Sequence, residues 1–367
     1  MDTFIDMDFM LGHWIAENWA AIAIVVTTVS LLVFLVWLLS YYVRICLNIF
    51  CDTPLPLSMN PADFERIEGE LVNFRSYDGI SLRGMHLCHP EESPYKGTIV
   101  FCHEFGSDMY SCGRYVRPLY EAGYDIFTFD FRAHGQSYHD DNYKPLQWPS
   151  DKELCDVLGA CAYVENCLTS EGKSAGIGLF GISRGAGSAL LAAATDSNIK
   201  AIVCDSAFSS ETTLLAYMKR WVNIFATVKV VYENHPEAFW RFMQVLVLKC
   251  AQCKMKRRFP SVCKALRDMQ PRPVFFIHGK RDSYIRVDQS KILHGQAPEP
   301  KFLWAVDKAK HNQAVVIQPQ KYASRTINFF DKYLCGRQDI SDDDIVPGRI
   351  EWEGKNGTIP ERFEEEC

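Results

Sequence analysis

One short run, Gly181-Ile182-Ser183-Arg184-Gly185, constrains the fold of this chain more than any other feature. An apolar stretch, 175–180, precedes it, and a run of small helix-forming residues, 186–195, follows it. This context predicts a strand, a sharp turn and a helix, with Ser183 at the turn. The two glycines leave room for a strained backbone that pushes the serine hydroxyl clear of a sheet. Alone, the run is equally typical of an ordinary glycine-rich turn.

Strands and helices alternate on both sides of this turn. Apolar and alternating runs predict strands at 70–75, 80–87, 97–102, 125–130, 175–180, 201–204, 273–277 and 301–306. Helices are predicted between several of them and after the last, at 115–123, 151–170, 186–195 and 319–334. This order predicts an α/β fold with a mostly parallel sheet.

The alternation stops after the sixth predicted strand. The stretch 211–268 contains no clear strand but is rich in large apolar side chains: Trp221, Phe225, Phe239, Trp240, Phe242, Leu246 and Leu248. We predict a helical insertion that covers the site and lines it with apolar surface. Each of these residues, taken singly, is also typical of one that merely packs an insertion onto a core.

A long uncharged stretch lies near the N-terminus. The stretch 18–43 has no charged residue, and a helix of that length spans roughly 39 Å, more than the ~30 Å of a hydrocarbon core. Large aromatic residues lie at its two ends: Trp14 and Trp19 at one, and Trp37, Tyr41 and Tyr42 at the other. The segment 1–17 has no Lys or Arg and so lacks the positive start of a secretory signal. We therefore predict a single transmembrane anchor with interfacial aromatic residues.

The residues beside this anchor predict its orientation. Arg44 follows the anchor closely, whereas the N-terminal side has no basic residue, which favours a cytoplasmic globular part. The 14 cysteines lack the spacing of a disulfide framework, as is typical of a reducing compartment. The expected location is therefore a membrane, crossed once, with the globular part in the cytoplasm.

These patterns divide the chain into six segments. They are a short N-terminal segment (1–17), a transmembrane helix (18–43), a linker (44–64), an α/β core (65–206 and 271–335), a helical cap insertion (207–270) and an acidic flexible tail (336–367). The linker is predicted to be extended because it contains three prolines. The tail is predicted to be flexible because it is acidic and has little apolar periodicity.

Composition argues against several classes of partner. The net charge of -6 argues against nucleic acid. A basic cluster is more typical of a solvated helix face than of an anionic-lipid contact; it consists of Lys254, Lys256, Arg257 and Arg258. Cys250-x-x-Cys253 with Cys263 supplies too few sulfurs for structural zinc. No metal or cofactor is expected; the expected partners are the bilayer and a small substrate, and no oligomeric state is predicted.

Three residues supply the groups of nucleophilic catalysis. Ser183, Asp282 and His311 each follow a predicted strand, at the edge where a parallel sheet collects its site. A serine nucleophile needs a base to take its proton and a carboxylate to orient that base. We therefore predict that Ser183 is the nucleophile, His311 the base and Asp282 the carboxylate. Asp205 is the alternative carboxylate.

With these motifs the sequence resembles the α/β-hydrolase superfamily over residues 68–334, apart from the insertion. The resemblance rests on the Ser183 run and on four further motifs: His278-Gly279-x-x-Asp282, His311, His103-Glu104-Phe105-Gly106 and Asp130-x-Arg132-x-x-Gly135-x-Ser137. It is nearest to membrane-tethered or lipid-directed serine hydrolases and to the hydrolase domain of the prolyl-oligopeptidase-like group. It implies an eight-stranded sheet whose second strand is antiparallel, and a cap after the sixth strand. It also implies an oxyanion hole formed by the backbone N–H groups of Phe105 and Arg184.

Two positions depart from the family pattern. Glycine is common in the family where this chain has Glu104, so an acidic side chain is expected beside the oxyanion hole. Glycine is also common where Lys310 precedes His311, which puts the geometry of that loop in question. Neither departure removes a member of the predicted triad.

The resemblance and the anchor together predict a serine hydrolase that cleaves carboxylic esters of lipid or acyl substrates through an acyl-enzyme. Two alternatives stay open. One is a serine peptidase of the prolyl-oligopeptidase type, and the other is a catalytically inactive scaffold in which Glu104 has spoiled the oxyanion hole.

Overall fold

The chain folds around one eight-stranded sheet. The computed structural model describes residues 2–52, 66–89, 95–139, 143–173, 176–225 and 236–347. The strands are β1 (Glu70–Arg75), β2 (Ser81–Leu87), β3 (Thr98–Cys102), β4 (Asp125–Phe129), β5 (Ile177–Ile182), β6 (Ile199–Asp205), β7 (Val274–Gly279) and β8 (Lys301–Val306). The helices are α1 (Asp2–Asp52), α2 (Cys112–Tyr115), α3 (Arg117–Glu121), α4 (Asp151–Ser170), α5 (Arg184–Thr195), α6 (Ser210–Phe225), α7 (Glu237–Met255), α8 (Val262–Asp268), α9 (Asp288–Gln296), α10 (Ala314–Ile317) and α11 (Pro319–Tyr333).

The strand order confirms the predicted fold. It is β1-β2-β4-β3-β5-β6-β7-β8. β2 is antiparallel to both of its neighbours, whereas the six strands β3 to β8 all run parallel to one another. Because parallel strands end at a common edge, the residues that follow β3, β5, β6, β7 and β8 gather there.

Helices cover both faces of the sheet. Side chains of α4, α5, α8 and α9 join the apolar cluster on one face, and those of α2, α3 and α11 join the cluster on the other. The central strand β5 is buried along its whole length because helices cover both faces of the sheet. A strand buried on both faces is expected to be apolar throughout, as this one is. The site edge is thus built on a rigid sheet.

The N-terminal helix is longer than the predicted anchor. α1 runs without a break from Asp2 to Asp52, and by length and composition it can cross a membrane. The prediction of a linker that starts at residue 44 is wrong as far as Asp52. Those residues stay helical because Phe50 and Cys51 are buried against the cap. The rest of the predicted linker, 53–64, lies outside the described residues.

The cap is smaller than predicted. α6 and α7 pack against each other, and α7 packs against α1. α8 instead packs on α5, and its Val262 and Leu266 are fully buried in the apolar cluster of the sheet. The insertion therefore ends before α8, and the predicted boundary at residue 270 includes a helix that belongs to the core.

The start of the predicted tail is part of the fold. Ile345 is fully buried in the apolar cluster on the α11 face of the sheet. Arg337 Nη1 lies 3.1 Å from Asp331 Oδ2 on α11. The prediction of a flexible tail is therefore wrong for residues 336–347, because the local charge pattern does not reveal that Ile340 and Ile345 are buried. Residues 348–367 lie outside the described part of the chain.

Candidate active site

Ser183 occupies a strained turn between β5 and α5. Its backbone has φ 52° and ψ -115°, a left-handed conformation that costs energy in a residue with a side chain. A Cβ on Gly181 would lie 2.5 Å from Ala186 Cα, and one on Gly185 would lie 2.2 Å from the Cys102 carbonyl oxygen. Only glycine fits at these two positions, so the backbone itself accounts for the spacing of the motif.

The structure brings together the three predicted side chains. Ser183 Oγ lies 2.9 Å from His311 Nε2, and His311 Nδ1 lies 2.5 Å from Asp282 Oδ2. All three residues are buried, and His311 and Asp282 lie in the loops that follow β8 and β7. Because the carboxylate accepts the Nδ1 proton, His311 Nε2 is free to accept the proton of the serine hydroxyl.

The Asp282 carboxylate is held by four donors. Its Oδ1 accepts the backbone N–H groups of Tyr284 and Ile285, each at 2.9 Å. Its Oδ2 faces His311 and, at 3.2 Å, His278 Nε2. Burial alone would raise the pKa of Asp282, but the hydrogen bonds from His278 and His311 outweigh it and hold the pKa well below its usual range. Asp282 therefore stays ionised beside the imidazole.

His278 is a residue whose role sequence reasoning missed. It is fully buried at the end of β7, where Nδ1 lies 2.7 Å from Ser290 Oγ and Nε2 lies 2.7 Å from the Ile285 carbonyl oxygen. These contacts brace the turn that carries Asp282. The His278-Gly279 pair marked the loop in the sequence, but nothing there pointed to a second imidazole on the same carboxylate.

The alternative carboxylate, Asp205, is engaged elsewhere. Its Oδ1 accepts the Ser206 hydroxyl at 2.9 Å, and its Oδ2 accepts the Tyr322 hydroxyl at 3.0 Å. Burial raises the pKa of Asp205. These partners differ from those of Asp282, and it is Asp282 that accepts the hydrogen bond from His311.

The two predicted oxyanion donors flank the turn. Arg184 is the first residue of α5, so its N–H has no carbonyl partner within the helix. Phe105 lies in the loop after β3, and the buried ring of His103 braces that loop. His103 Nδ1 lies 2.7 Å from the Glu104 carbonyl oxygen, and Nε2 lies 3.1 Å from the Phe131 nitrogen.

These two contacts define the tautomer of His103. Nε2 accepts the Phe131 N–H, so Nδ1 carries the proton and donates to the carbonyl of Glu104. Burial, helped by the nearby His134 and Arg184, lowers the pKa of His103 well below its ordinary value. The ring is therefore a neutral brace between two loops.

The Arg184 side chain fills the space beneath the Phe105 loop. It is fully buried, and its guanidinium carbon lies 5.3 Å from the ring centre of Phe105 and 4.9 Å from that of Phe131. Nη1 donates to the Leu146 carbonyl at 3.2 Å and lies 3.6 Å from Glu153 Oε1. Nothing in the sequence indicates this role, because a residue after a nucleophile is expected to contribute only its backbone.

The two departures from the family pattern have different outcomes. Glu104 lies beside the site, where its Oε2 accepts the Ser111 hydroxyl at 3.4 Å and burial raises its pKa. Lys310 is exposed, and the left-handed positions of its loop are Lys308 (φ 64°) and Asn312 (φ 56°) instead. The His311 loop therefore needs no glycine at residue 310.

The cap is bonded to the loop that carries Asp282. Tyr217 Oη on α6 donates to the Tyr284 carbonyl at 2.9 Å, and Arg220 Nη1 donates to the Ser283 carbonyl at 3.0 Å. The cap thus meets the site next to its carboxylate. An arrangement of serine hydroxyl, imidazole and ionised carboxylate is suited to acyl transfer.

Comparisons with known proteins agree with this architecture. The family model for the alpha/beta hydrolase fold matches residues 97–229. The uncharacterized protein YqkD of Bacillus subtilis is 25% identical over 275 residues, which make up 73% of this chain and 81% of YqkD. Among solved structures, an esterase of Pyrococcus furiosus is 22% identical with a TM-score of 0.54, and the match covers 77% of this chain and 98% of the esterase.

A second kind of structure is similar over only part of its length. The acylaminoacyl peptidase of Pyrococcus horikoshii is 18% identical with a TM-score of 0.53, and the match covers 77% of this chain and 44% of the peptidase. At such identities the structural likeness establishes the fold and leaves the substrate open. With its strand order and the match of the family model over residues 97–229, the chain has the α/β-hydrolase fold.

Proposed function

We propose that this protein is a membrane-anchored serine hydrolase that cleaves carboxylic esters of lipid or acyl substrates. The observation that carries the proposal is the hydrogen-bond relay from Ser183 through His311 to Asp282 at a strained turn. A buried serine gains nothing structural from a left-handed backbone, whereas a nucleophile gains exposure of its hydroxyl to substrate.

In the first half-reaction, Ser183 Oγ attacks the ester carbonyl carbon while His311 Nε2 takes the hydroxyl proton. The negative charge that forms on the carbonyl oxygen is stabilised by the N–H groups of Phe105 and Arg184. The intermediate then collapses: the bond to the alcohol breaks, His311 gives its proton to the leaving oxygen, and the acyl group stays on Ser183.

In the second half-reaction, water replaces the alcohol. His311 takes a proton from water as the water oxygen attacks the acyl carbon, and it returns that proton to Ser183 Oγ when the acid leaves. Asp282 stays ionised throughout and stabilises the imidazolium at each step. The low pKa of Asp282 supports this role.

The anchor and the cap support a lipid or acyl substrate. α1 is exposed along its apolar stretch and long enough to span a bilayer, and its last turns pack on the cap that meets the site. A site held against a bilayer encounters membrane-resident esters at high local concentration. We place the globular part in the cytoplasm, since Arg44 follows the apolar stretch.

The location has its own test. Cys253 and Cys335 are exposed free thiols on the globular part. A membrane-impermeant thiol reagent applied to intact cells is expected to leave both unmodified and to label both after lysis. Labelling of either residue in intact cells would place the globular part on the outer side.

Hydrolysis of matched ester and amide substrates tests the chemistry. Full-length protein in phosphatidylcholine vesicles is expected to cleave a long-chain acyl ester faster than the corresponding aminoacyl amide, with no cleavage by Ser183→Ala. Ser324→Ala, on α11 and remote from the turn, is the matched control and is expected to retain full activity.

Other results of this assay choose between the alternatives. The likeness to acylaminoacyl peptidase supports a peptidase as the second candidate, and a preference for the amide would favour it over the ester hydrolase. No cleavage of either substrate by folded wild-type protein would favour an inactive scaffold, with Glu104 beside the oxyanion donors as the residue to change first.

A further inference from the structure

The anchor helix and the cap helix form one packed unit. Facing side chains of α1 and α7 share an apolar cluster: Leu39, Val43, Leu47 and Phe50 from α1, and Trp240, Met243, Val247 and Ala251 from α7. Lys254 Nζ lies 3.7 Å from Asp52 Oδ2 and joins the C-terminal ends of the two helices. Helices that meet at their C-terminal ends and share a cluster over several turns lie side by side in the same direction.

This packing sets the level of each residue of α7 along α1. Phe242 precedes Lys254 by as many residues as Ser40 precedes Asp52. Because both helices rise about 1.5 Å per residue, Phe242 lies near the level of Ser40. Ser40 stands between Trp37 and Tyr41, the aromatic residues expected at the edge of the hydrocarbon core. The first half of α7 is therefore level with the membrane boundary.

The outward stripe of α7 changes in polarity along its length. Its members recur every three or four residues and are exposed: Ala238, Phe242, Val245, Lys249 and Cys253, with Lys256 directly after the end of the helix. Phe242 is 55% exposed and Val245 is 46% exposed, which is unusual for a helix packed on both sides. The stripe is apolar near the level of Ser40 and basic beyond it, in the direction in which α1 reaches its first basic residue, Arg44.

The charged residues beside this stripe are paired. Arg241 Nε lies 3.7 Å from Glu237 Oε1, and Lys219 Nζ lies 2.5 Å from Glu237 Oε2. All three side chains are partly exposed, and by the same register Arg241 lies near the level of Leu39. In the proposed placement the long Arg241 and Lys219 side chains therefore extend towards the headgroup layer while the apolar stripe faces the acyl chains. Their net charge is small, and they do not oppose contact with a bilayer.

We propose that Phe242 and Val245 form a second membrane contact, which enters the headgroup–acyl boundary of the bilayer that α1 spans. The combination of an apolar first half, a basic second half and a neighbouring helix that crosses the membrane fits an interfacial helix. The contact fixes the cap, and with it the Asp282 side of the site, against the lipid surface. The inference rests on the proposed anchor and is independent of the hydrolytic chemistry.

Photocrosslinking of the full chain in phosphatidylcholine vesicles tests this contact. Benzoylphenylalanine replaces one residue at a time at Phe242, Val245, Phe34 and Tyr77. Phe34, in the apolar stretch of α1, is the positive control, and Tyr77, 77% exposed at the β1–β2 turn, is the matched exposed aromatic control. Size-exclusion chromatography checks that each variant is folded, and mass spectrometry measures the lipid adduct.

The expected result is lipid adducts at positions 34, 242 and 245, each at least about tenfold above position 77. Adducts at 34 without adducts at 242 and 245 would overturn the second contact and leave the anchor intact. A crosslink from 242 or 245 to a second copy of the chain or to another protein would also overturn it. Absence of lipid adducts at 34 would overturn the anchor and the inference together, whatever the result of the hydrolysis assay.

Discussion

The turn that carries Ser183 and the contact between α1 and the cap are held in place by different kinds of interaction. At the turn, the close approach of backbone atoms excludes any side chain: an added Cβ on Gly185 would lie 2.2 Å from a carbonyl oxygen. At the end of the anchor helix, side-chain packing holds the contact together. The Phe50 ring stacks on Trp148 with centroids 4.6 Å apart, and the Trp148 indole N–H donates to the Phe50 carbonyl at 2.9 Å. A backbone constraint tolerates almost no substitution, whereas a packed apolar contact tolerates another side chain of similar volume.

The two regions also differ in what they determine: one holds the groups that would react, and the other sets the position of those groups relative to a bilayer. The turn and the loops after β7 and β8 hold the groups that would react. The unit of α1, α6 and α7 decides where those groups lie relative to a bilayer. Changes at the turn are therefore expected to abolish activity with the fold intact or to disrupt the core, while changes at the anchor are expected to affect the cap first.

The largest expected effect is on catalysis by Asp282→Asn. The amide places a donor where a carboxylate accepted the His311 Nδ1 proton, so the imidazole is held in the wrong tautomer. We expect kcat/KM for a soluble ester to fall about 10⁴-fold with little change in KM. Asp205→Asn is the control for the alternative carboxylate; if its loss of kcat were the larger, the assignment of Asp282 would be wrong.

The stability of Asp282→Asn is also expected to differ from that of wild type in its dependence on pH. The pKa of Asp282 is lower in the folded chain, so its ionised form stabilises the fold above the unfolded pKa of about 4, and this contribution is lost as the pH falls towards the folded pKa. The free energy of unfolding of Asp282→Asn should therefore approach that of wild type between about pH 5 and pH 3. Denaturant titrations at each pH measure it, and a constant difference would refute the linkage.

Gly185→Ala tests the backbone constraint directly. The added methyl group meets the carbonyl oxygens of Cys102, at the end of β3, and of His103, directly after it, and the sheet leaves this backbone little room to move away. We expect a loss of more than about 3 kcal/mol of stability, beyond ordinary overpacking. Gly295→Ala on α9 is the matched control, since nothing lies within 4 Å of its added Cβ; it is expected to be neutral or to raise the melting temperature slightly.

Phe50→Ala tests the side-chain contact. Phe50 is 1% exposed between Trp148 and Phe259, so truncation leaves a cavity and is expected to cost about 3 kcal/mol locally. Phe50→Leu conserves most of the volume and is expected to cost less than about 1.5 kcal/mol. Limited proteolysis of the cap in vesicles measures both variants. Equal sensitivity of Phe50→Ala and wild type would show that the anchor does not hold the cap.

The core and the candidate site could be predicted because their signals are local. Each residue of the proposed triad lies in the loop or turn that follows an apolar strand, and the glycines around Ser183 are required by atoms within the same turn and the adjacent strand. The end of α1 could not be predicted in the same way, because Phe50 meets Trp148, which lies 98 residues away in the chain. Ile345 and the buried guanidinium of Arg184 are of the same kind, since only the assembled fold shows what they contact.

Fluorophosphonate labelling of the full chain in membranes directly tests whether Ser183 is an activated nucleophile, because the reagent reacts with an activated serine whatever the natural substrate is. Mass spectrometry identifies the modified residue. We expect one adduct, on Ser183, which disappears in Ser183→Ala and is retained in Ser324→Ala. An adduct on another serine, or none on folded wild-type protein, would contradict it.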